Sequence, residues 1–246
     1  MKIKKCRNCK KEKLSKLFSL GNMSFTGKFA SKNKKIKKAP VHLVMCLNCK
    51  LVQLAHNFNL KYLYGPDYGY RTGINETMRN HVSTVVKKLS KKVKLSKNDI
   101  VLDIASNDGT LLNCYKENIL TFGVDPLISK YKGNYKKIDY KLSDFFSLKK
   151  ILQKTKKRFK IITALAVFYD LEDPNKFLRE IESILDDNGI ALIEIADLLS
   201  MIKYNMFDAI CHEHLIYYTS KIIFHLFLLL EQYRKVFYSL AARLDL

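Results

Sequence analysis

The chain has 246 residues, of which 48% are hydrophobic and 27% are charged, with only nine Gly and four Pro. At about 150 residues per domain, this length allows one large domain, or one domain with a small accessory module, but not three separate cores. The apolar content is sufficient for a buried core, and the composition excludes fibrous and disordered proteins.

Basic residues exceed acidic ones, with 44 Lys and Arg against 23 Asp and Glu, and the formal net charge is +21. Only seven of the basic residues are Arg, and the lysines lie mainly in runs such as 34–38 and 87–92. Such a charge attracts polyanions, but phosphates and bases are usually recognised by the bidentate guanidinium of Arg. The lysines therefore indicate solvated surfaces, and we do not expect nucleic acid to be the partner.

The first residues carry no sign of an export signal. Lysines and polar groups follow Met1, without the apolar stretch of about 7–15 residues that export requires. The longest apolar run, 222–230, contains His225 and is shorter than the ~20 residues that span a bilayer. We therefore expect a cytoplasmic protein without a membrane segment, whose oligomeric state the sequence does not define.

Four of the six cysteines form two CxxC pairs, Cys6 with Cys9 and Cys46 with Cys49. Each CxxC turn can point both sulfurs at one metal ion, and two such turns complete the tetrahedron of a structural Zn²⁺ with no open position for catalysis. In a reducing cytoplasm, metal binding is favoured over disulfides. The spacer of 36 residues is longer than in ordinary zinc ribbons, so four unrelated thiols are the alternative.

The zinc-binding module is predicted over residues 1–60, with a short strand over 14–18 and a loop over 31–38. Residues 61–98 form a connecting segment with a helix over 75–92, because apolar residues recur there at helical spacing. These residues are Met78, Val82, Val85, Val86 and Leu89.

From residue 99 to 218, apolar runs alternate with amphipathic segments. The predicted strands are 100–105, 120–124, 140–142, 161–167 and 190–195, and the predicted helices are 110–117 and 175–185. This alternation favours an α/β domain, a Rossmann-like parallel sheet covered on both faces. Such sheets bind ligands at the carboxyl ends of their strands.

The loop that follows the first strand reads Asp-Ile-Ala-Ser-Asn-Asp-Gly over 103–109, and the second strand ends in Gly-Val-Asp-Pro over 123–126. A dinucleotide requires three spaced glycines where its pyrophosphate approaches the backbone, whereas this loop has one glycine among acids that repel phosphate. NAD is therefore disfavoured. S-adenosylmethionine (SAM) has an ammonium, a sulfonium and a ribose diol but no phosphate, so acidic side chains suit it.

The candidate SAM-binding residues follow from their positions at the strand ends. Asp125 would accept hydrogen bonds from the ribose hydroxyls, and Asp103 with Asn107 and Asp108 would bind the methionine end. Gly109 would let the next helix begin against the ligand. Alternatively, these acids are turn residues at strand ends, and Asp108 with Gly109 is a helix entry.

The adenine end is assigned to the segment Asp-Phe-Phe over 144–146. Asp144 would accept from the adenine amino group, and the Phe145 ring would lie on the base.

These motifs together resemble bacterial nucleotide-sugar C-methyltransferases, which have an N-terminal zinc-binding domain, a class I methyltransferase domain and a further C-terminal α/β segment. The resemblance extends from about Cys6 to about Tyr218. The motifs that carry it are the two CxxC pairs, 67–73 (DYGYRTG), 106–112 (SNDGTLL), 123–126 (GVDP), 144–146 (DFF), 207–208 (FD) and 211–215 (CHEHL).

The resemblance implies methyl transfer from SAM to a ring carbon next to the ketone of a nucleotide-linked 4-keto-deoxysugar, in surface polysaccharide biosynthesis. A base must first remove the proton alpha to the carbonyl, and the resulting enolate must be stabilised. By resemblance, His214 is this base, Glu213 orients it or relays protons, and Tyr70 reaches the substrate.

The chain departs from the family pattern at two positions. Some relatives have a tyrosine where this chain has Cys211, and a histidine where it has Asp170. His212 and His214 could also be a metal pair, but they lack the i, i+4 spacing of a zinc protease motif, or His214 could be a core histidine.

The resemblance fades over 219–246, which we expect to be a divergent tail without the final strands of a methyltransferase sheet. One hypothesis is a frameshift that shortened the product and exposed edge strands, with low activity. Two other functions are open: an RNA-modifying methyltransferase that holds phosphates with its lysines, and an inactive remnant.

Overall fold

The computed structural model describes residues 1–28, 35–228 and 236–241. Its N-terminal part contains an antiparallel sheet in which β1 (Leu14–Ser24) pairs with β2 (Lys38–Cys46), and β2 pairs with β3 (Val52–Leu54). The strand predicted over 14–18 is therefore longer than expected. Of the loop predicted over 31–38, residues 31–34 lie outside the described part of the chain, residues 35–37 belong to no helix or strand, and Lys38 already begins β2.

The connecting segment contains α1 (Leu60–Leu63) and α2 (Glu76–Lys92). Asn75 caps α2, because its side chain accepts a hydrogen bond from the Met78 amide at 3.2 Å. The five apolar residues that predicted this helix are all buried, and most lysines lie on its exposed face. The helix prediction is confirmed.

The second part of the chain forms a parallel sheet of six strands with helices between them. In chain order this part of the chain contains β4 (Ile100–Ile104), β5 (Leu120–Val124), β6 (Tyr140–Leu142), α3 (Leu148–Lys154), β7 (Phe159–Leu165), α4 (Pro174–Ile184), β8 (Leu185–Ala196), α5 (Leu198–Lys203), β9 (Ile216–Tyr217), α6 (Ser220–Leu228) and β10 (Val236–Ala241). All of these strands except β9 belong to the parallel sheet. The strand order is β10-β8-β7-β4-β5-β6, with every pair parallel. The central strand β4 is buried along its whole length, as expected for a sheet covered on both faces. The α/β prediction is confirmed.

The helix predicted over 110–117 is wrong. Only the short 3-10 turn Leu112–Cys114 forms there, because local side chains satisfy the backbone in other ways. The Asn113 amide group donates to the carbonyls of Gly109 at 2.9 Å and Asn134 at 3.0 Å. Such side-chain bonds compete with helix formation.

Three further expectations about the parallel sheet differ from the structure. Strand β7 begins and ends two residues before the predicted 161–167, and β8 begins at Leu185, directly after α4. The expectation that no sheet strand follows residue 218 is also wrong, since Val236 pairs with Ala191 and Ala241 with Ala196 in the parallel pair of β10 and β8.

The strand β9 does not belong to the parallel sheet but joins the N-terminal one. Val52 pairs with Tyr217, and the Leu54 amide donates to the Leu215 carbonyl at 2.9 Å. The loop 205–215 is therefore held between the two sheets. Within the described part of the chain, every helix is too short or too polar to cross a membrane.

Candidate active site and zinc centre

The four sulfurs of the CxxC pairs converge on one point. Their Sγ atoms all lie within 4.8 Å of one another, and Cys6 and Cys46 are fully buried. The two turns are alike, because Lys10 (φ 59°) and Lys50 (φ 62°) both adopt the left-handed conformation and donate their amides to the carbonyls of Cys6 and Cys46. Four thiolates in this geometry fit Zn²⁺, and the predicted structural zinc site is confirmed.

A cavity of about 180 Å³ lies at the carboxyl ends of β4, β5 and β7. This is the end of a parallel α/β sheet at which a ligand was predicted to bind. Of the predicted site residues, the structure brings five to its lining: Tyr70, Asp103, Asn107, Asp125 and Phe145.

Asp125 is held at the end of β5 by two backbone amides, Asn107 at 2.9 Å and Leu127 at 2.7 Å. Burial raises its pKa to about 6. Asp103 accepts a hydrogen bond from the Thr163 hydroxyl at 2.6 Å, and burial raises its pKa to about 7. Both carboxyls retain free lone pairs, as binding of ribose hydroxyls or an ammonium group requires.

The charged residues described in the cavity lining are all acidic. Four carboxyls line the cavity, those of Asp103, Asp125, Asp170 and Glu194, and none of its described lining residues is Lys or Arg. A buried carboxylate is costly without a countercharge. The cavity therefore fits a ligand that carries positive charge and no phosphate, as SAM does.

Asp108 was expected to bind the methionine end, but the structure does not place it in the cavity lining. Its buried Oδ2 accepts from Arg71 Nε at 2.9 Å and from the Gly73 amide at 3.1 Å, and its Oδ1 accepts from the Thr110 hydroxyl at 2.6 Å. Gly109 is not in the cavity lining either, and a Cβ at this position would lie 2.9 Å from Ile138 Cδ1. Asp108 therefore fastens the connecting segment to the loop that follows β4.

Asp144 is likewise outside the cavity lining, where it ion-pairs with Lys150. The next residue in the chain, Phe145, does line the cavity. The assignment of Asp144 to the adenine amino group thus finds no support in this geometry, because its carboxylate is engaged at the surface.

A tyrosine-rich segment closes one side of the cavity with Tyr64, Tyr68 and Tyr70. It is tied to the loop after β4 by Asn107, whose Oδ1 accepts from the Thr72 amide at 2.9 Å and whose Nδ2 donates to the Tyr70 carbonyl at 3.3 Å. Asn107 therefore positions Tyr70 while it contacts the cavity itself.

His214 lies in the loop between the two sheets, half-buried, and is not in the cavity lining. Its Nδ1 lies 2.8 Å from the Ala209 carbonyl oxygen. Since a carbonyl only accepts, Nδ1 holds the hydrogen, and Nε2 keeps a lone pair in the neutral ring. The ring packs against Tyr169 at 4.5 Å, and it interacts electrostatically with the Asp170 carboxyl of the cavity wall.

The neighbours of His214 have different surroundings. Glu213 is buried and accepts a hydrogen bond from the Thr26 hydroxyl of the N-terminal part. His212 is fully buried, packs against Phe25 and Phe58, and its Nε2 donates to the Ala39 carbonyl at 3.1 Å. Among the described residues, the four cysteines are the single group of three or more metal-ligating side chains that converges on one point.

The sequence analysis did not predict Tyr64, Tyr68 or Glu194 as lining residues, and it assigned no role to Asp170. Glu194 accepts from His81 Nε2 at 2.8 Å, and this hydrogen bond raises the pKa of His81. An acid inside the apolar run 190–195 was the signal for Glu194, because a charge in a buried strand requires a partner.

A parallel α/β sheet with acids at the carboxyl ends of its strands, preceded by a four-cysteine zinc module, defines a class I SAM-dependent methyltransferase. Residues 74–228 match a family model described as a methyltransferase domain, and the chain belongs to that family. Residues 6–64 match a model that describes a zinc binding domain. The predicted combination of the two is confirmed, with SAM as cofactor and zinc as structural metal.

The chain is 23% identical over 185 residues to the C-methyltransferase NovU of Streptomyces niveus. This alignment covers 73% of this chain and 43% of NovU. The chain thus spans less than half the length of this relative.

Among solved structures, the chain is similar to the plantazolicin methyltransferase BpumL in complex with a pentazolic desmethylPZN analog and SAH. The TM-score is 0.52 at 14% identity, with coverage of 65% of this chain and 66% of that chain. For the methyltransferase BamL, the TM-score is 0.50 at 18% identity, with coverage of 65% and 64%. At these identities the likeness shows the fold alone.

Proposed function

We propose that this protein transfers a methyl group from SAM to the carbon next to the ketone of a nucleotide-linked 4-keto-deoxysugar. The observation that carries the proposal is the imidazole of His214, whose Nδ1 donates to the Ala209 carbonyl and whose ring packs against Tyr169, next to Asp170 of the acid-lined cavity. The similarity to a protein named as a C-methyltransferase supports the same reaction type.

The cofactor supplies an electrophilic methyl group on a positively charged sulfur. The residues that would hold it line the cavity: Asp125 would accept from the ribose hydroxyls, Asp103 and Asn107 would bind the methionine end, and Phe145 would lie on the base. The uncompensated acids of the cavity favour this cationic ligand over its neutral-sulfur product.

Carbon becomes a nucleophile only after it loses a proton. Nε2 of His214 accepts that proton, because Nδ1 already donates its hydrogen to the Ala209 carbonyl. Glu213 lies beside it and orients the loop through its contact with Thr26. Tyr70, held by Asn107 at the cavity, would contact the sugar.

The test is mass spectrometry of a panel of UDP-, GDP-, CDP- and TDP-linked 4-keto sugars after incubation with protein and SAM. We expect one member to gain the mass of a methylene unit, and His214→Ala to abolish this gain while SAM binding by calorimetry persists. No gain with any member, from protein that binds SAM, would refute the sugar substrate. Salt-sensitive methylation of RNA would instead favour the RNA-modifying alternative.

A further inference from the structure

Asp170 holds a carboxyl oxygen that the protein leaves without a partner. The residue ends the 3-10 turn Phe168–Asp170 that follows β7, and it lines the cavity. Its Oδ2 accepts a hydrogen bond from the Tyr64 hydroxyl at 2.8 Å. Its Oδ1 is buried and forms no hydrogen bond with any described residue. A buried polar atom without a partner is costly, which indicates that a group outside the protein completes the contact.

The surroundings of Asp170 favour the neutral carboxylic acid. Burial and the nearby charge of Glu213 raise its pKa to about 7, although His214 and the Tyr64 hydrogen bond act in the opposite direction. The other titratable groups that interact with it are Tyr68, Tyr169, Cys211 and Tyr217. A substantial share of Asp170 is therefore protonated near neutral pH and can donate a hydrogen bond.

His214 and Asp170 interact through their charges, but the described contacts include no hydrogen bond or ion pair between them. The two side chains also differ in the hydrogen-bonding groups that they present. The imidazole presents a lone pair at Nε2, whereas the protonated carboxyl presents a hydrogen at Oδ1. Removal of a proton next to a ketone needs both a base for the carbon-bound proton and a donor for the developing oxyanion.

We infer that Asp170 is a catalytic residue that donates a hydrogen bond from Oδ1 to the ketone oxygen of the substrate and stabilises its enolate. This inference rests on the proposed function. When the base takes the alpha proton, the electron pair of the C–H bond forms the carbon–carbon double bond and the carbonyl π pair moves to the oxygen. This oxygen accepts a hydrogen bond from Asp170. The carbon then bonds to the methyl group, the pair of the broken S–C bond stays on sulfur, and the carbonyl re-forms.

The experiment measures two reactions of the same protein: exchange of the alpha proton for deuterium in D₂O with the spent cofactor bound, and methylation with SAM. Both are followed from pH 5.5 to 9 for the wild type, Asp170→Ala and Asp170→Asn. We expect Asp170→Ala to slow both reactions by about 10²–10³-fold, the effect of losing one oxyanion donor. Asn retains an N–H donor that does not titrate, so Asp170→Asn should stay within about tenfold of wild type and lose the decline in rate above neutral pH.

Tyr64→Phe gives a readout that a structural role would not produce. The Tyr64 hydrogen bond lowers the pKa of Asp170, so its removal should move the alkaline limb of the rate profile to higher pH. Thermal melting and SAM calorimetry show whether each variant folds. If Asp170→Ala does not fold, the profiles of Asp170→Asn and Tyr64→Phe decide.

The inference is overturned if Asp170→Asn is as inactive as Asp170→Ala at every pH, because Asp170 would then be the base. It is also overturned if a folded Asp170→Ala keeps the wild-type rate, or if the alkaline limb does not move in Tyr64→Phe. In these outcomes the wild type is still active, and the proposed function stands. A wild type that neither exchanges nor methylates any sugar of the panel refutes both.

Discussion

Replacing Asp103 by Asn should stabilise the ligand-free protein and weaken cofactor binding. Burial raises the pKa of Asp103 from 3.8 to about 7. A raised carboxyl pKa means that the native state binds more protons than the unfolded state, so stability falls as pH rises from about 4 to 7 and is lowest above 7. Three pKa units at 1.36 kcal/mol each correspond to about 4 kcal/mol of destabilisation by the ionised group. Since Asn retains the Thr163 contact, Asp103→Asn should gain roughly 2–4 kcal/mol at pH 8 and nothing at pH 4.

The same carboxylate should favour a cationic ligand, so its removal has the opposite effect on binding. SAM should bind the wild type more tightly as pH rises through 7, with release of protons, because the ligand's charge favours ionised Asp103. In Asp103→Asn this pH dependence should shrink to the part from Asp125 and Asp170. Denaturant unfolding and calorimetry at pH 6, 7 and 8 measure both effects, with Asp187→Asn, whose side chain is 92% exposed, as control. A variant that is less stable than wild type at pH 8, or that binds SAM with unchanged pH dependence, contradicts this reasoning.

Two other perturbations probe the parts that surround the cavity. Zinc removal by a chelator, or Cys46→Ser, should unfold the N-terminal sheet and lower the melting temperature, because structural zinc supplies folding free energy. A melting curve that the chelator leaves unchanged would exclude a structural metal. Asp108→Asn should cost about 1–3 kcal/mol and weaken SAM binding, since it frees Arg71 and Gly73 from the loop after β4. Calorimetry and melting curves should show no change in the matched surface variant Asp144→Asn, and equal effects of both variants would assign Asp108 no special role.

The zinc site and the sheet were predictable because their patterns are local. Two CxxC turns define four ligands whatever lies between them, and alternating apolar runs define a parallel sheet. Asp125 was also predictable, because the end of a strand fixes the direction in which the next side chain can reach. The positions that the sequence predicted well are therefore those set by spacing or by strand direction.

The loop after β4 shows where such reasoning ends. Asn107 adopts a positive φ of 48°, and this turn directs the next side chain, Asp108, toward Arg71 instead of the cavity. No local pattern specifies that partner, which lies 37 residues away. Asp170 was equally hidden, since its significance depends on Tyr64, a residue 106 positions distant. Both depend on how the connecting segment packs against the sheet.

The position of the zinc module explains how a metal that contacts no substrate can still matter for catalysis. The strand β3 of this module pairs with β9, which directly follows the loop that carries Glu213 and His214. Glu213 is also held by Thr26 of the same module. Because two contacts from the zinc module hold this loop, loss of zinc should move His214 relative to Asp170. Chelation should therefore slow exchange of the alpha proton more than it weakens SAM binding, because the proposed SAM-binding residues Asp103 and Asp125 lie at the ends of β4 and β5. Equal losses of both would indicate that the module serves general stability alone.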